Sequence, residues 1–224
     1  MDEQMKIEGI SKRYRNKVIL NKVSLSVDRG TCVGILGGNG SGKSTLLSIL
    51  AGVQKPDEGN VFWNEENLLS NKTLREKLIG YVPQGNPLFE ELTAWDNLRL
   101  WYDKAELKKE LSGGALRMLG IDGFINTQVR KMSGGMKKRL SLGCSIAGNS
   151  QVLLLDEPSA ALDLICKESI YNYIEKFKKD GGRVLIATHE IREVELCDKC
   201  YILKDGALLP YQYNGDIHHL IEQL

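Results

Sequence analysis

No stretch of this 224-residue chain approaches the roughly 18 consecutive apolar residues that a helix needs to cross a bilayer. Its longest apolar patches, around Leu46 to Val53 and Val152 to Leu155, suit a packed core. The segment Met1 to Lys6 lacks the basic start and apolar centre of a secretion signal, so a cytoplasmic protein is expected. A prevailing charge is missing too. Thirty Lys and Arg stand against 29 Asp and Glu, and a net charge of +1 provides no global field for nucleic acid or an anionic lipid surface. Cysteine is sparse: five residues, at 32, 144, 166, 197 and 200, are an odd and scattered set that argues against a disulfide framework and for a reducing compartment. The pair Cys197 and Cys200 has redox or zinc spacing, but neither a second pair nor a nearby His completes it. It reads instead as a helix end running into the strand Tyr201-Ile202-Leu203. Internal repeats, low-complexity tracts and flexible linkers are also absent, and 42% hydrophobic residues at this length suffice for one domain or two lobes.

Glycine, by contrast, is concentrated. Gly37-Gly38-Asn39-Gly40-Ser41-Gly42-Lys43-Ser44-Thr45 matches the phosphate-binding loop pattern, with four free positions between its first Gly and the closing Gly-Lys-Ser. The apolar run Cys32 to Leu36 before it predicts a buried strand, and Ser44 to Ala51 after it predicts an apolar helix. Glycines admit the turns and leave the amides clear, so that N–H groups converge on phosphate oxygens at the positive end of the helix. Lys43 would then lie over the β- and γ-phosphates and the Ser44 hydroxyl on Mg2+. A nucleoside triphosphate is the expected ligand.

Further on, Val152-Leu153-Leu154-Leu155-Asp156-Glu157 places an acidic pair at the carboxyl end of a wholly apolar strand, where open α/β sheets put their ligands. Asp156 is expected to take Mg2+ through water and Glu157 the proton of an attacking water. Alternating runs at Met5 to Gly9, Val23 to Val27 and Asn60 to Asn64, the short β-branched run Ile79 to Val82, the wholly apolar Val152 to Leu155 and the run Arg183 to Ala187 predict strands. Helical spacing runs from about 92 to 146 and from Asp163 to Lys179. The expected fold is α/β: a parallel-sheet P-loop NTPase core with an amino-terminal antiparallel β part and an inserted α-helical lobe. One domain spans 1–224, with 1–84 and 150–224 as core and 85–149 as lobe.

Met132-Ser133-Gly134-Gly135-Met136, followed by Lys137-Lys138-Arg139, resembles the signature motif of ABC-type ATPases, the nucleotide-binding subunits of ATP-binding-cassette transporters. It ends 21 residues before Asp156, as that family requires of the helix leading into the strand. The resemblance implies roles for further residues. Tyr14 would stack on adenine, and Gln84 would join sheet to helical lobe and reach Mg2+ and the water. Ser159 to Asp163 would contact the other subunit, and His189 would touch the γ-phosphate. Ser133, Gly134 and Gly135 would offer a hydroxyl and free amides to the ATP of an opposing subunit. The family's arrangement is a two-fold dimer with two ATP molecules buried between phosphate loop and opposing signature. Two departures stand out. Met136 occupies the place of the usual Gln, and Leu111-Ser112-Gly113-Gly114 copies the motif but ends 42 residues before Asp156, so it is expected to be a break between helices.

Three functions compete. A transporter ATPase would dock on a transmembrane permease subunit on a separate chain and pair as a homodimer or with a second ATP-binding subunit. A translation-linked ATPase would carry two cassettes and a basic linker, and a chromosome or repair ATPase a long coiled coil between phosphate loop and signature. One cassette, balanced charge and the short interval from Thr45 to Ser133 favour transport on the cytoplasmic face of the membrane. Met136, the basic residues after it and the compact carboxyl end resemble exporters. Leu88 and Phe89, beside Pro87 in a loop, are the expected anchors for the membrane partner. Trp95 and Trp101 are divided between contact and packing.

Overall fold

A computed structural model describes residues 4–148 and 150–224. Strands β1 (Met5–Tyr14), β2 (Lys17–Val27), β4 (Glu58–Trp63) and β5 (Glu66–Asn67) form an antiparallel sheet in the order β2-β1-β4-β5. The main sheet has the order β10-β9-β3-β8-β7-β6, built from β3 (Cys32–Leu36), β6 (Ile79–Val82), β7 (Val152–Asp156), β8 (Arg183–Ala187), β9 (Lys199–Lys204) and β10 (Ala207–Tyr211). All its neighbours pair in parallel except β10 with β9. Every residue of β3, β7 and β8 is buried, which explains why their sequences are apolar apart from Asp156 at the end of β7 and Arg183 at the start of β8: both faces of the sheet are covered.

One face packs against α1 (Lys43–Leu50), α2 (Lys72–Leu78) and the antiparallel sheet, with Leu46, Leu47 and Leu50 meeting Ile7, Val61 and Trp63 in one core. The other face takes α7 (Leu164–Lys179) and the segment between β6 and β7, which contains α3 (Ala94–Leu98), α4 (Lys104–Gly113), α5 (Ala115–Met118) and α6 (Gly134–Ser145). Leu98, Leu107, Leu116 and Leu140 share a core with Leu153, Leu155 and Ile186 of the sheet. Two short 3-10 turns, Ile121–Phe124 and Val129–Lys131, break the long helical spacing.

Two elements remain. Helix α8 (Ile191–Glu195) precedes β9, and α9 (Ile217–Gln223) buries Leu220 against Leu36 and Ile202. The last turn of α9 reaches the glycine loop: Lys204 Nζ donates to the Gln223 carbonyl at 3.1 Å, and a Cβ on Gly38 would lie 3.9 Å from the Leu224 carbonyl oxygen. Among the described residues no helix is long and apolar enough to cross a membrane. Register puts the carboxyl ends of β3, β8, β7 and β6 side by side, with Ile35 opposite Ala187, Asp156 opposite Ala187 and Val82 opposite Leu155. The loops that leave these ends meet there.

Candidate functional site

Two glycines of the loop after β3 are dictated by geometry. Gly37 (φ 156°) has Leu203 O and Ser41 Oγ both 2.7 Å from where a Cβ would sit, and Gly42 (φ 109°), the residue before α1, has Ile19 Cγ2 at 2.8 Å. Asn39 and Gly40 form the exposed tip, Gly38 is half-buried, and Thr45 lies in the first turn of α1. The buried Lys43 ammonium turns into the loop and donates to the carbonyls of Gly37 at 2.6 Å and Gly38 at 3.1 Å. Burial pulls its pKa down, while the nearby Glu157 and Asp156 charges pull it back up. Ser41 Oγ is buried without a hydrogen-bond partner among the described residues.

Asp156, at the end of β7, is 2% exposed. Burial raises its carboxyl pKa, and a hydrogen bond with Ser44 acts the other way. Its Oδ1 has no partner among the described residues. A buried, unpaired carboxylate oxygen beside a hydroxyl is a donor set that fits a hard cation. Among the described residues no group of three His, Cys, Asp or Glu side chains could hold a metal. The residues therefore fit an ion that keeps part of its shell from phosphate and water, which is the habit of Mg2+.

Glu157 follows with φ 48°, a left-handed backbone that non-glycine residues rarely adopt. Its N–H donates to Ala187 O at 2.9 Å, which fixes the turn. Its Oε2 accepts from Gln84 Nε2 at 3.0 Å, and its Oε1 lies 3.2 Å from His189 Nδ1. Three loops, leaving β6, β7 and β8, thus meet on one carboxylate.

The signature residues lie elsewhere. Ser133 caps α6, its hydroxyl accepting from Met136 N at 3.2 Å, and Ser133 and Gly134 are exposed. A Cβ on Gly135 would fall 2.5 Å from Cys166 Sγ, whereas one on Gly134 would meet nothing within 4 Å. Gly135 is required by packing within the chain, and Gly134 is not. The copy at Ser112 to Gly114 is the junction of α4 and α5, where Glu110 Oε2 accepts from Ala115 N at 2.7 Å. Tyr14, at the end of β1, has an exposed ring, with Lys12 Nζ 5.8 Å from its centroid and its hydroxyl bonded to Gln54.

The apolar loop divides differently from expectation. Leu88 is half-buried and packs on the helical core, as does Trp95, because the Asn97 side chain holds Phe89 N at 2.9 Å and Phe89 O at 3.1 Å and pins the loop down. Phe89 and Trp101 stay 61% and 64% exposed. Both border a cleft of about 930 Å³, with Val53, Tyr81 and Pro87 also on its wall. Cys200 lies in β9 and Cys197 in the connection from α8 to that strand. Cys197 Sγ is 3.6 Å from Cys32 Sγ, and a hydrogen bond with Cys197, with burial, pushes the Cys200 thiol up.

Two residues escape sequence reading. Lys138, one letter in a basic run, is 4% exposed and points into the site. Glu193 of α8, fully buried, accepts from Ser159 N at 3.1 Å and so holds the loop after Glu157. The only sequence signal for Lys138 is its place at helical spacing from the buried Gly135, Ser141 and Leu142 side of α6. Glu193 carries none.

The ABC transporter family model matches residues 20–160. The chain is 34% identical over 209 residues to the probable sulfate/thiosulfate import ATP-binding protein CysA of Chlorella vulgaris, covering 91% of this chain and 88% of that one. It is 32% identical over 222 residues to Nod factor export ATP-binding protein I of Rhizobium sp. strain N33, covering 97% and 72%. A solved dimeric structure of the ATP-binding cassette MJ0796, in a post-hydrolysis state bound to ADP and Pi, superposes with TM-score 0.84 at 29% identity, covering 95% and 100%. With phosphate loop, acidic strand end and family match coinciding, this chain belongs to the ABC transporter family, as an ABC-type ATPase.

Proposed function

We propose that this chain hydrolyses ATP with Mg2+ as the motor subunit of an exporter, in a two-fold dimer that seats each ATP between one phosphate loop and the partner's Ser133-Gly134-Gly135. The observation that carries the reading is the convergence of Gln84 and His189 on Glu157. Glu157 accepts the proton of the attacking water, and Gln84 and His189 orient it, His189 also touching the γ-phosphate. Lys43 leaves the loop carbonyls for the β- and γ-phosphates. Ser44, Asp156 and Gln84 hold Mg2+, which when bound neutralises phosphate charge. Tyr14 offers its exposed face to adenine. In this reading 85–149 is a helical lobe mounted on a core of 1–84 and 150–224. Its cleft, with Phe89 and Trp101, receives a cytoplasmic helix of the permease.

Glu157→Gln tests the base: hydrolysis is lost, nucleotide binding is kept, and an ATP-stabilised dimer appears on gel filtration. Near-normal turnover in that variant would remove Glu157 from the role. Ser133→Arg spares binding by the monomer and blocks the dimer, whereas Ser112→Arg does neither. The reverse result would move the signature to Ser112.

Export is supported by Met136, the basic run and the Nod factor export relative. Import is the second reading, supported by the sulfate/thiosulfate import relative. Inverted vesicles carrying this chain and a six-helix membrane protein encoded beside its gene decide between them, since an exporter accumulates substrate inside such vesicles on addition of ATP.

A further inference from the structure

Lys138 is the fifth residue of α6, the helix capped by Ser133, and is 4% exposed. Its ammonium donates to Pro83 O at 2.8 Å, Gln84 O at 3.4 Å and Asp156 O at 3.4 Å. A buried cation without partners is costly, and three carbonyls answer its three protons. Those carbonyls do not belong to the helix that carries the lysine. Two begin the loop that presents Gln84, and the third ends the strand that presents Asp156 and Glu157. One side chain therefore joins three segments that meet at the Glu157 carboxylate but are far apart in sequence.

We infer that Lys138 is a positioning residue for hydrolysis. It fixes the backbone of Gln84 against the end of β7, so that the Gln84 amide reaches Glu157 Oε2 at 3.0 Å. Gln84 itself is exposed, and Pro83 has no N–H to anchor the loop, so the carbonyl side is where this segment can be held. Because the anchor rides on α6, a displacement of the Ser133 end is carried to the Gln84–Glu157 pair through Lys138.

The inference rests on Glu157 as base, and the experiment separates the two. Hydrolysis rates and fluorescent-nucleotide binding are measured on the full chain and on Lys138→Met, Lys138→Arg, Gln84→Ala and the Lys138→Met/Gln84→Ala double variant. Loss of three donors to functional segments predicts that Lys138→Met lowers kcat about tenfold to a hundredfold while nucleotide affinity moves by less than about twofold. Lys138→Arg, which keeps the donors, recovers most of the rate. The double variant is no slower than Gln84→Ala alone by more than about twofold, because both changes remove the same function. Unchanged kcat in Lys138→Met, or losses that multiply in the double variant, would overturn the positioning role. If Lys138→Met does not melt cooperatively, Lys138→Gln replaces it in the cycle under the same criteria. A Glu157→Gln variant that still hydrolyses ATP removes the reading beneath the inference, independently of what Lys138 does.

Discussion

Glu193 and the signature glycines show how single side chains here separate folding from function. Burial raises the pKa of the Glu193 carboxyl, against hydrogen bonds from Ser159 and Thr188. The folded state therefore binds this proton more tightly than the unfolded one, and the group favours folding most at low pH and loses that benefit as pH rises past the ordinary glutamate value of 4.5 toward its raised value. Glu193→Gln, neutral at every pH, should thus melt above the wild type at pH 7, and that lead should shrink as pH is lowered toward 5. A lead independent of pH would assign the effect to packing. Gly135→Ala sets a methyl against Cys166 Sγ and is expected to cost about 1–3 kcal/mol by urea denaturation. Gly134→Ala has room within the chain and should leave stability unchanged while abolishing the ATP-stabilised dimer. Equal destabilisation by the two would refute that division.

Helix α3 illustrates what local sequence can specify. Thr93 Oγ1 accepts from Asp96 N at 3.1 Å and Asp96 Oδ2 accepts from Thr93 N at 3.3 Å, a reciprocal cap. Thr93→Ala should cost about 1 kcal/mol in urea unfolding, and no measurable loss would show that packing of Leu98 alone sets the helix. Such short-range rules also made β3, α1, β7 and β8 readable, because the apolar run, the loop and the next helix are contiguous. The same holds for Asp163, which caps α7 by accepting from Cys166 N at 2.8 Å. Strand β1 was less legible: it continues past Gly9 to Tyr14 through register shifts that an alternation count cannot follow. The stretch from 92 to 146 reads as helical throughout, yet its breaks depend on tertiary contacts, such as Glu110 folding back on Ala115 N. The candidate site divides in the same way. Its glycine loop and Asp156-Glu157 are local patterns, whereas Lys138 acts on Pro83 across 55 positions, and periodicity carries no information about that pairing.

In the whole molecule the exposed aromatic pair has most to test. Phe89 and Trp101 are large apolar side chains left uncovered beside a cleft, and Phe89→Ser/Trp101→Ser should leave hydrolysis by the isolated chain unchanged while weakening co-purification with the membrane subunit. Undiminished co-purification would rule out this face as the dock. Helix α9 bears on a more practical matter. Its final turn borders Gly38, so any fusion joined directly at Leu224 begins against the phosphate-binding loop. A bulky tag placed there acts as a wedge on the nucleotide site, and a long Gly/Ser spacer relieves it. Affinities measured on proteins immobilised through that end would then report the handle as well as the enzyme.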